Sequence, residues 1–408
     1  LSDNNSNWTN IINGDGETLL PFSSEAFTIN TTNWTGVESS VWNLSENWDN
    51  GIPTSNSLAT VPDVVILPMI GSGNNAFAGN LHIDTGARLT INSANSASIS
   101  GLLAVNGALH MNSDSSLIID GTSIGNITYH RTLATNNWYL VSAPLEGETI
   151  DNLILNHSFA MGTAPNIGVS TYTSSNDTWN YMTATSTGEI ISGKGYAVKL
   201  ASSGPLSFTG TIKEEDTSIV LTTSGNGFNL LGNPYTSYIN SSAVLTNSTS
   251  ALTSQTLWIW DESNNRYDTK VTADAFKIAP GQGFFVQSNG TAGVIQIDED
   301  DQSHEASDTF QKTATRAEIH LTLSNGSVSS AAKIYYIDNT TTGFDNGYDG
   351  PLFGGTANDF EIYTKAVDDT TEQALAIQSL PNIHFENRVI LVGVHATAGE
   401  EITFTTAT

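Results

Sequence analysis

The stretch that decides the fold runs from residue 81 to residue 119: LHIDTGARLTINSANSASISGLLAVNGALHMNSDSSLII. Apolar residues recur two apart in short bursts: Leu81/Ile83, Leu89/Ile91, Ala97/Ile99, Leu103/Val105, Leu109/Met111 and Leu117/Ile119. A spacing of two puts both side chains on one face of a strand, because successive side chains alternate across it. Between the bursts sit Asp84-Thr85-Gly86, Asn106-Gly107 and Ser113-Asp114-Ser115, residue types that turn the chain. The bursts begin 6 to 8 residues apart. Short strands with one inward face and tight turns predict a β-solenoid or a stack of hairpins, each rung burying its pair against the next. A meandering sandwich is the competing arrangement, because the step is not strict.

Working outward, Val65/Leu67 before this stretch and Ile127/Tyr129 after it extend the rhythm over 61–130. Upstream, Trp42 and Trp48 lie six apart and lead into Gly51-Ile52-Pro53. They read as a turn-rich cap whose indoles cover the end of a core, the alternative being a platform on which a sugar stacks. Residues 1–40 are rich in Asn and Thr, with scattered apolar positions such as Leu19, Leu20, Phe22, Phe27 and Ile29. They read as an extended arm, or as one or two edge strands.

Downstream, the chain repeats itself. Asn137-Trp138-Tyr139-Leu140-Val141-Ser142-Ala143-Pro144 matches Gly227-Phe228-Asn229-Leu230-Leu231-Gly232-Asn233-Pro234 at an offset of 90. Tyr172 and Trp179 match Trp260 and Tyr267 at 88, as Gly193-Lys194-Gly195-Tyr196 matches Gly281-Gln282-Gly283-Phe284. Anchors at a near-constant offset indicate two copies of one unit. The expected order is therefore an N-terminal arm (1–40), a solenoid-like domain (41–130), two copies of a β unit (131–215 and 216–300), an acidic linker (301–308) and a β-sandwich (309–408). In the last part Ala317-Glu318-Ile319-His320-Leu321-Thr322-Leu323 alternates cleanly, and the final strand runs off the end at Thr408 with no terminating turn, so the sandwich reads as incomplete. The fold class expected is all-β, elongated and multidomain.

Composition agrees. The 408 residues include 45 Ser, 51 Thr and 40 Asn, one third of the chain. These residues compete with the helical backbone and favour strands and turns. Thirteen basic against 41 acidic residues give a net charge of −28, which argues against nucleic acid and anionic membrane surfaces as partners. No apolar run is long enough to insert in a bilayer. With no cysteine, thiolate chemistry and disulfides are excluded. Sparse lysine and an acidic, hydroxyl-rich surface fit a secreted protein that keeps itself soluble by charge.

Several phrases resemble the large modular surface proteins that Bacteroidetes export through the type IX secretion system. They are Trp42…Asn47-Trp48…Gly51-Ile52-Pro53, Gly125-Asn126-Ile127-Thr128-Tyr129-His130-Arg131 leading into Trp138, and Phe228-Asn229-Leu230-Leu231-Gly232-Asn233-Pro234-Tyr235. Gly343-Phe344-Asp345-Asn346-Gly347-Tyr348-Asp349, Ile362-Tyr363 and Ala376-Ile377-Gln378-Ser379-Leu380-Pro381 complete the set. The resemblance implies an exported protein, anchored or released at the cell surface. It does not imply an activity, since similar segments scaffold adhesins, filaments and enzymes alike.

The chemistry-bearing residues are few. The eight His show no metal-binding spacing, and no nucleophile elbow is present. No pair of carboxylates stands out, so the chain reads as a non-enzyme. Asp345 and Asp349 flank a Gly turn and offer hard oxygens to Ca²⁺; the alternative is an Asx turn between strands. Trp258 and Trp260 fall on one strand face, and with Trp179, Tyr181 and Tyr267 they offer either core or a stacking platform for a glycan. Asp369-Thr370-Thr371 resembles the O-glycan acceptor of the same bacterial group. The expected function is structural or adhesive: a stalk or filament subunit at the cell surface, self-associating head to tail, with residues 1–40 a donor strand for the unpaired sandwich edge. Its expected contacts are a glycan or the surface of a host or neighbouring cell. The alternative is a carbohydrate-binding protein that accompanies polysaccharide degradation.

Overall fold

The computed structural model describes residues 30–71, 75–305, 316–355, 358–367, 373–383 and 388–408. The chain is nearly all β, and its helices, such as Ile150–Asn156 and Ser241–Asn247, are short.

The opening stretch is a β-solenoid of about three turns with three sheet faces. On the first face Asn30–Asn33, Ser57–Val61, Asn80–Ile83, Leu103–Val105 and Ser123–Ile124 run side by side. On the second lie Asn75–Ala78, Ser96–Ile99 and Ser116–Ile119; on the third, Met69–Ile70, Arg88–Ile91, Ala108–Met111 and Ile127–Leu133. All these pairings are parallel. Leu89 stands on Leu109, Ile91 on Met111 and Ile99 on Ile119. The step of 6 to 8 read from the sequence is therefore one side of a triangular turn. The inward pairs are buried, while Val65 projects fully into water, outside the ladder. Each buried Leu or Ile contributes about 1.5–3 kcal/mol. At one corner Gly79, Gly101 and Gly121 stack, and a Cβ on Gly121 would overlap the backbone of Gly101.

The Trp cap closes one end. Trp34, Trp42 and Trp48 are buried and meet edge to face at 5.3 and 4.7 Å. The Trp48 indole donates to the Trp42 carbonyl at 2.8 Å, and Trp34 donates to Ile66 at 2.7 Å. Residues 30–40, expected as part of the arm, belong to the first rung through the Asn30–Asn33 pairing. The rest of the expected donor arm, 1–29, lies outside the described residues, as do His384 and the Asp369–Thr371 triplet.

The repeated units form two four-stranded sheets of one order. In the first, Tyr139–Ser142 pairs with Gly195–Val198, then Asn166–Thr173, then Thr178–Thr183. In the second, Phe228–Gly232 pairs with Gly283–Gln287, then Thr256–Asp261, then Arg266–Val271. The sheets meet through equivalent strands: Ser142 N donates to Gly281 O at 3.0 Å and Gly232 N to Gly193 O at 2.9 Å. The first unit shares one hydrophobic core with the solenoid, from Trp34 to Phe208. The second docks on the solenoid's Ser116–Ile119 edge, where Leu117 and Thr236 exchange two hydrogen bonds.

The acidic stretch expected as a solvated linker is packed where it is described. Gln302–Ser303 pairs with Tyr238–Asn240, and His304 bridges Ser98 (2.9 Å) and Ser116 (2.5 Å) of two solenoid rungs. Backbone pairing and a buried imidazole outweigh the charge repulsion that the sequence suggested. The C-terminal part is one curled, mostly antiparallel seven-stranded sheet, with a core of Leu321, Leu323, Ile334, Ile362 and Leu380.

Candidate functional site: an aromatic groove between the repeated units

Each repeated unit carries one aromatic pair across a hairpin. Tyr172 faces Trp179 in the first, with ring centroids 5.3 Å apart; Trp260 faces Tyr267 in the second, at 4.9 Å. Cross-strand aromatic pairs stabilise a hairpin locally. Here both pairs also turn toward Phe285, which Tyr172 meets at 5.1 Å and Tyr267 at 5.7 Å. Burial of these rings welds the two sheets.

The weld is not closed at one end. Trp138, Trp179, Tyr181, Trp260 and Tyr267 line an open depression of about 200 Å³, with Ser170 and Asn265 as its polar members. Trp138 and Tyr181, whose rings lie 5.9 Å apart at 60°, form a rib shared with a second depression of about 380 Å³. Trp260 and Leu140 form a rib shared with a third, of about 430 Å³. The three depressions adjoin through these shared side chains and are together called the aromatic groove.

The rings are fixed from behind. The Trp260 indole donates to the Trp138 carbonyl at 2.8 Å, tying one unit's hairpin to the other unit's entry strand. Asn137 adds a bond to the Glu262 carbonyl at 3.2 Å. The Tyr172 hydroxyl donates to Asp177 at 2.6 Å and accepts from Asn226 at 2.6 Å. Burial first, and Asp177 second, push the Tyr172 phenol up to about 12, and burial raises that of Tyr267. Both phenols are therefore neutral hydrogen-bonding groups at any physiological pH. Tyr181 is 45 % exposed, so its ring face is open to a ligand.

The residues singled out in the sequence separate here. Trp258 is core: it is 1 % exposed, packs on Phe228 at 5.4 Å and donates to Pro351 O at 3.1 Å. Trp260 and Trp179 are half-buried and line the groove. Tyr181 and Tyr267 join them. Trp138 was legible only as part of the repeat, and the neighbouring Lys199 gave no sequence signal at all.

Asp345 and Asp349 sit elsewhere, and their oxygens face backbone amides. Asp349 is fully buried; its Oδ1 accepts from Ser379 N and its Oδ2 from Asp345 N, both at 2.5 Å. Asp345 accepts from the Thr341 N–H at 2.5 Å and the Thr341 hydroxyl at 3.1 Å. The donor set is an Asx-type brace whose carboxylates diverge onto N–H groups, which does not fit a Ca²⁺ cage of six to eight oxygens. Among the described residues no group of three or more His, Asp or Glu is placed to hold a metal.

A larger cleft of about 760 Å³ lies between the units on another side. Its lining mixes Lys194 and Lys213 with Glu146, Glu189 and Asp216, and Lys213 is paired with Glu146 at 2.8 Å. Lys194 lies 5.9 Å from the centroid of the Tyr196 ring.

Residues 33–277 match the family described as "Domain of unknown function (DUF8693)", more than half of the chain. The chain belongs to that family. The DUF8693 span takes in the solenoid, the first unit and the groove residues Trp138, Trp179, Tyr181, Trp260 and Tyr267; it stops before the Gly283–Gln287 strand. No curated protein and no solved structure matches the chain.

Proposed function

We propose that this protein is an extracellular adhesive protein of a bacterial cell surface that holds a glycan in the aromatic groove. The observation that carries the reading is the row of aromatic ribs, Trp138/Tyr181 and Trp260, between three linked depressions. Sugar rings present C–H faces that stack on aromatic rings, and their hydroxyls need a few polar partners, here of the Ser170 and Asn265 type. The ribs are tilted, 60° between Trp138 and Tyr181 and 64° between Trp260 and Tyr267. Tilted ribs suit a single glycan chain lying along a groove better than a flat crystalline polysaccharide. The aromatic depression is lined by no carboxylate, and of the two acids in the third, Asp114 is paired with Arg131 and Glu262 stands without a second free carboxyl; glycoside cleavage needs a carboxyl pair, so the reading is binding without hydrolysis. Location outside the cell, and export by the type IX route, are supported by the acidic, cysteine-free composition and the surface-protein phrases.

The test is an array of neutral and acidic oligosaccharides probed with the wild-type chain and with Tyr181→Ala. Retention of a defined glycan subset, lost in the variant, supports the reading. Silence of the wild-type chain, or equal retention by both proteins, overturns it.

A second reading, a filament subunit, is favoured by the C-terminal sheet. Its outer strands Leu391–His395 and Thr403–Ala407 leave Leu391, Val394 and Phe404 exposed, and such edges recruit further strands. Negative-stain microscopy with and without residues 1–29 separates the two readings: filaments that vanish on deletion favour strand donation, and single particles in both favour the adhesive monomer.

A further inference from the structure

The depression beyond the Trp138/Tyr181 rib is lined by Lys199, Thr163, Asn166 and the exposed Met161. Cations are scarce in this chain: 13 against 41 acids. Two of them line the groove. Arg131, in the far depression, is committed to Asp114 at 2.7 Å. Lys199 has no ion-pair partner among the described residues. Its backbone is nonetheless held firmly, accepting from Ala160 N at 2.9 Å and donating to Gly168 O at 2.7 Å. A half-buried lysine with no carboxylate partner among the described residues thus lines one end of the aromatic groove.

Resting on the glycan reading above, we propose that the groove selects a glycan carrying a single acidic sugar, whose carboxylate or sulfate pairs with Lys199 while the adjoining sugar stacks on Trp138 and Tyr181. The charge of the whole chain sharpens the choice. At −28 the protein repels a polyanion whose many charges come within the Debye length of about 8 Å of its acidic surface, but one anion pressed against one ammonium feels mainly its partner. The ligand is thus neutral along most of its length and acidic at one place. Charge-assisted pairs are short and stronger than neutral hydrogen bonds, so the acid supplies discrimination that ring stacking cannot.

Titration calorimetry on the full chain tests this with four probes: a neutral oligoglucan, the same oligomer ending in one glucuronate, the same oligomer ending in one sulfate, and oligogalacturonate. The single-acid probes are expected to bind best, the neutral one at least about tenfold weaker, and the polyuronate weakest. Lys199→Gln is expected to bring the single-acid probes down to the neutral affinity while leaving the neutral probe unchanged. The two acid probes tell carboxylate from sulfate. Equal binding of neutral and single-acid probes, tighter binding of oligogalacturonate, or no effect of Lys199→Gln overturns the proposal and leaves the glycan reading standing. Binding of none of the probes, with a silent array, overturns both.

Discussion

Gly232 and Ser142 occupy the same position in the two repeated units and face each other where the sheets join, so closely that a Cβ on Gly232 would overlap the Cβ of Ser142. The flanking backbones exchange equivalent bonds, Ser142 to Gly281 and Gly232 to Gly193. The join is therefore nearly symmetric, with the symmetry broken at the one place where two side chains cannot coexist. The aromatic groove depends on this join, because its ribs come from both sheets.

Gly232→Ala is expected to destabilise the protein by about 1–3 kcal/mol, the usual cost of overpacking. Adding Ser142→Gly should restore most of the loss by vacating the space. Urea denaturation of the single and double variants measures both. Equal stability of Gly232→Ala and wild type would refute the packing account.

Two aromatic positions should behave oppositely. Trp258→Ala removes a buried ring and should cost about 3–5 kcal/mol, an effect on stability. Tyr181→Ala removes a half-exposed ring and should change stability by less than about 0.5 kcal/mol. Thermal melts of the two variants distinguish core from groove; a large loss in Tyr181→Ala would place that ring in the core.

His304 ties the segment after the second unit to the solenoid. Burial lowers its pKa, against the smaller opposing pull of Asp120 and Glu305. The folded state thus favours the neutral ring. Its contribution to stability is full above the ordinary histidine value and is lost as pH falls through the depressed one. The gap in melting temperature between wild type and His304→Ala should be wide at about pH 8 and narrow at about pH 5. A gap that stays constant would contradict the docking geometry.

Asp349 should show the reverse trend. Burial raises its carboxyl to about 7, against the two amides that lower it. Its stabilising effect is full below the ordinary aspartate value of 3.8 and is lost as pH rises to about 7. Asp349→Asn should flatten the melting temperature across that window relative to wild type. Because the carboxylates are already spent on backbone amides, calcium or a chelator should leave the melting temperature of the wild type unmoved. A calcium-dependent rise would restore the ion reading of the Asp345–Asp349 turn.

Much of the fold was legible in the sequence because period-2 pairs such as Leu89/Ile91 and Leu109/Met111 encode an inward face directly. The parallel, three-sided stacking was not, since Asp84-Thr85-Gly86 turns a chain equally well into a hairpin. The partition of the tryptophans was not legible either. Trp258 and Trp260 share a strand face, and only the approach of Phe228 and Pro351 from distant segments buries one and leaves the other half-open. Lys199 could not be found from sequence, because what marks it is its place in the groove and the lack of a carboxylate partner among the described residues. The packing of His304 against Ser98 and Ser116, some two hundred residues away in the chain, was hidden for the same reason.

The central claim is that the ribs Trp138 and Tyr181 hold a sugar. The most direct measurement is a calorimetric titration of the single-glucuronate oligoglucan into wild type and into the Trp138→Ala/Tyr181→Ala double variant, with melts to confirm that both are folded. Aromatic contacts worth about 0.5–1.5 kcal/mol each predict a loss of roughly tenfold or more on removing both rings. Equal affinity in the two folded proteins, or no binding to either, would contradict the account.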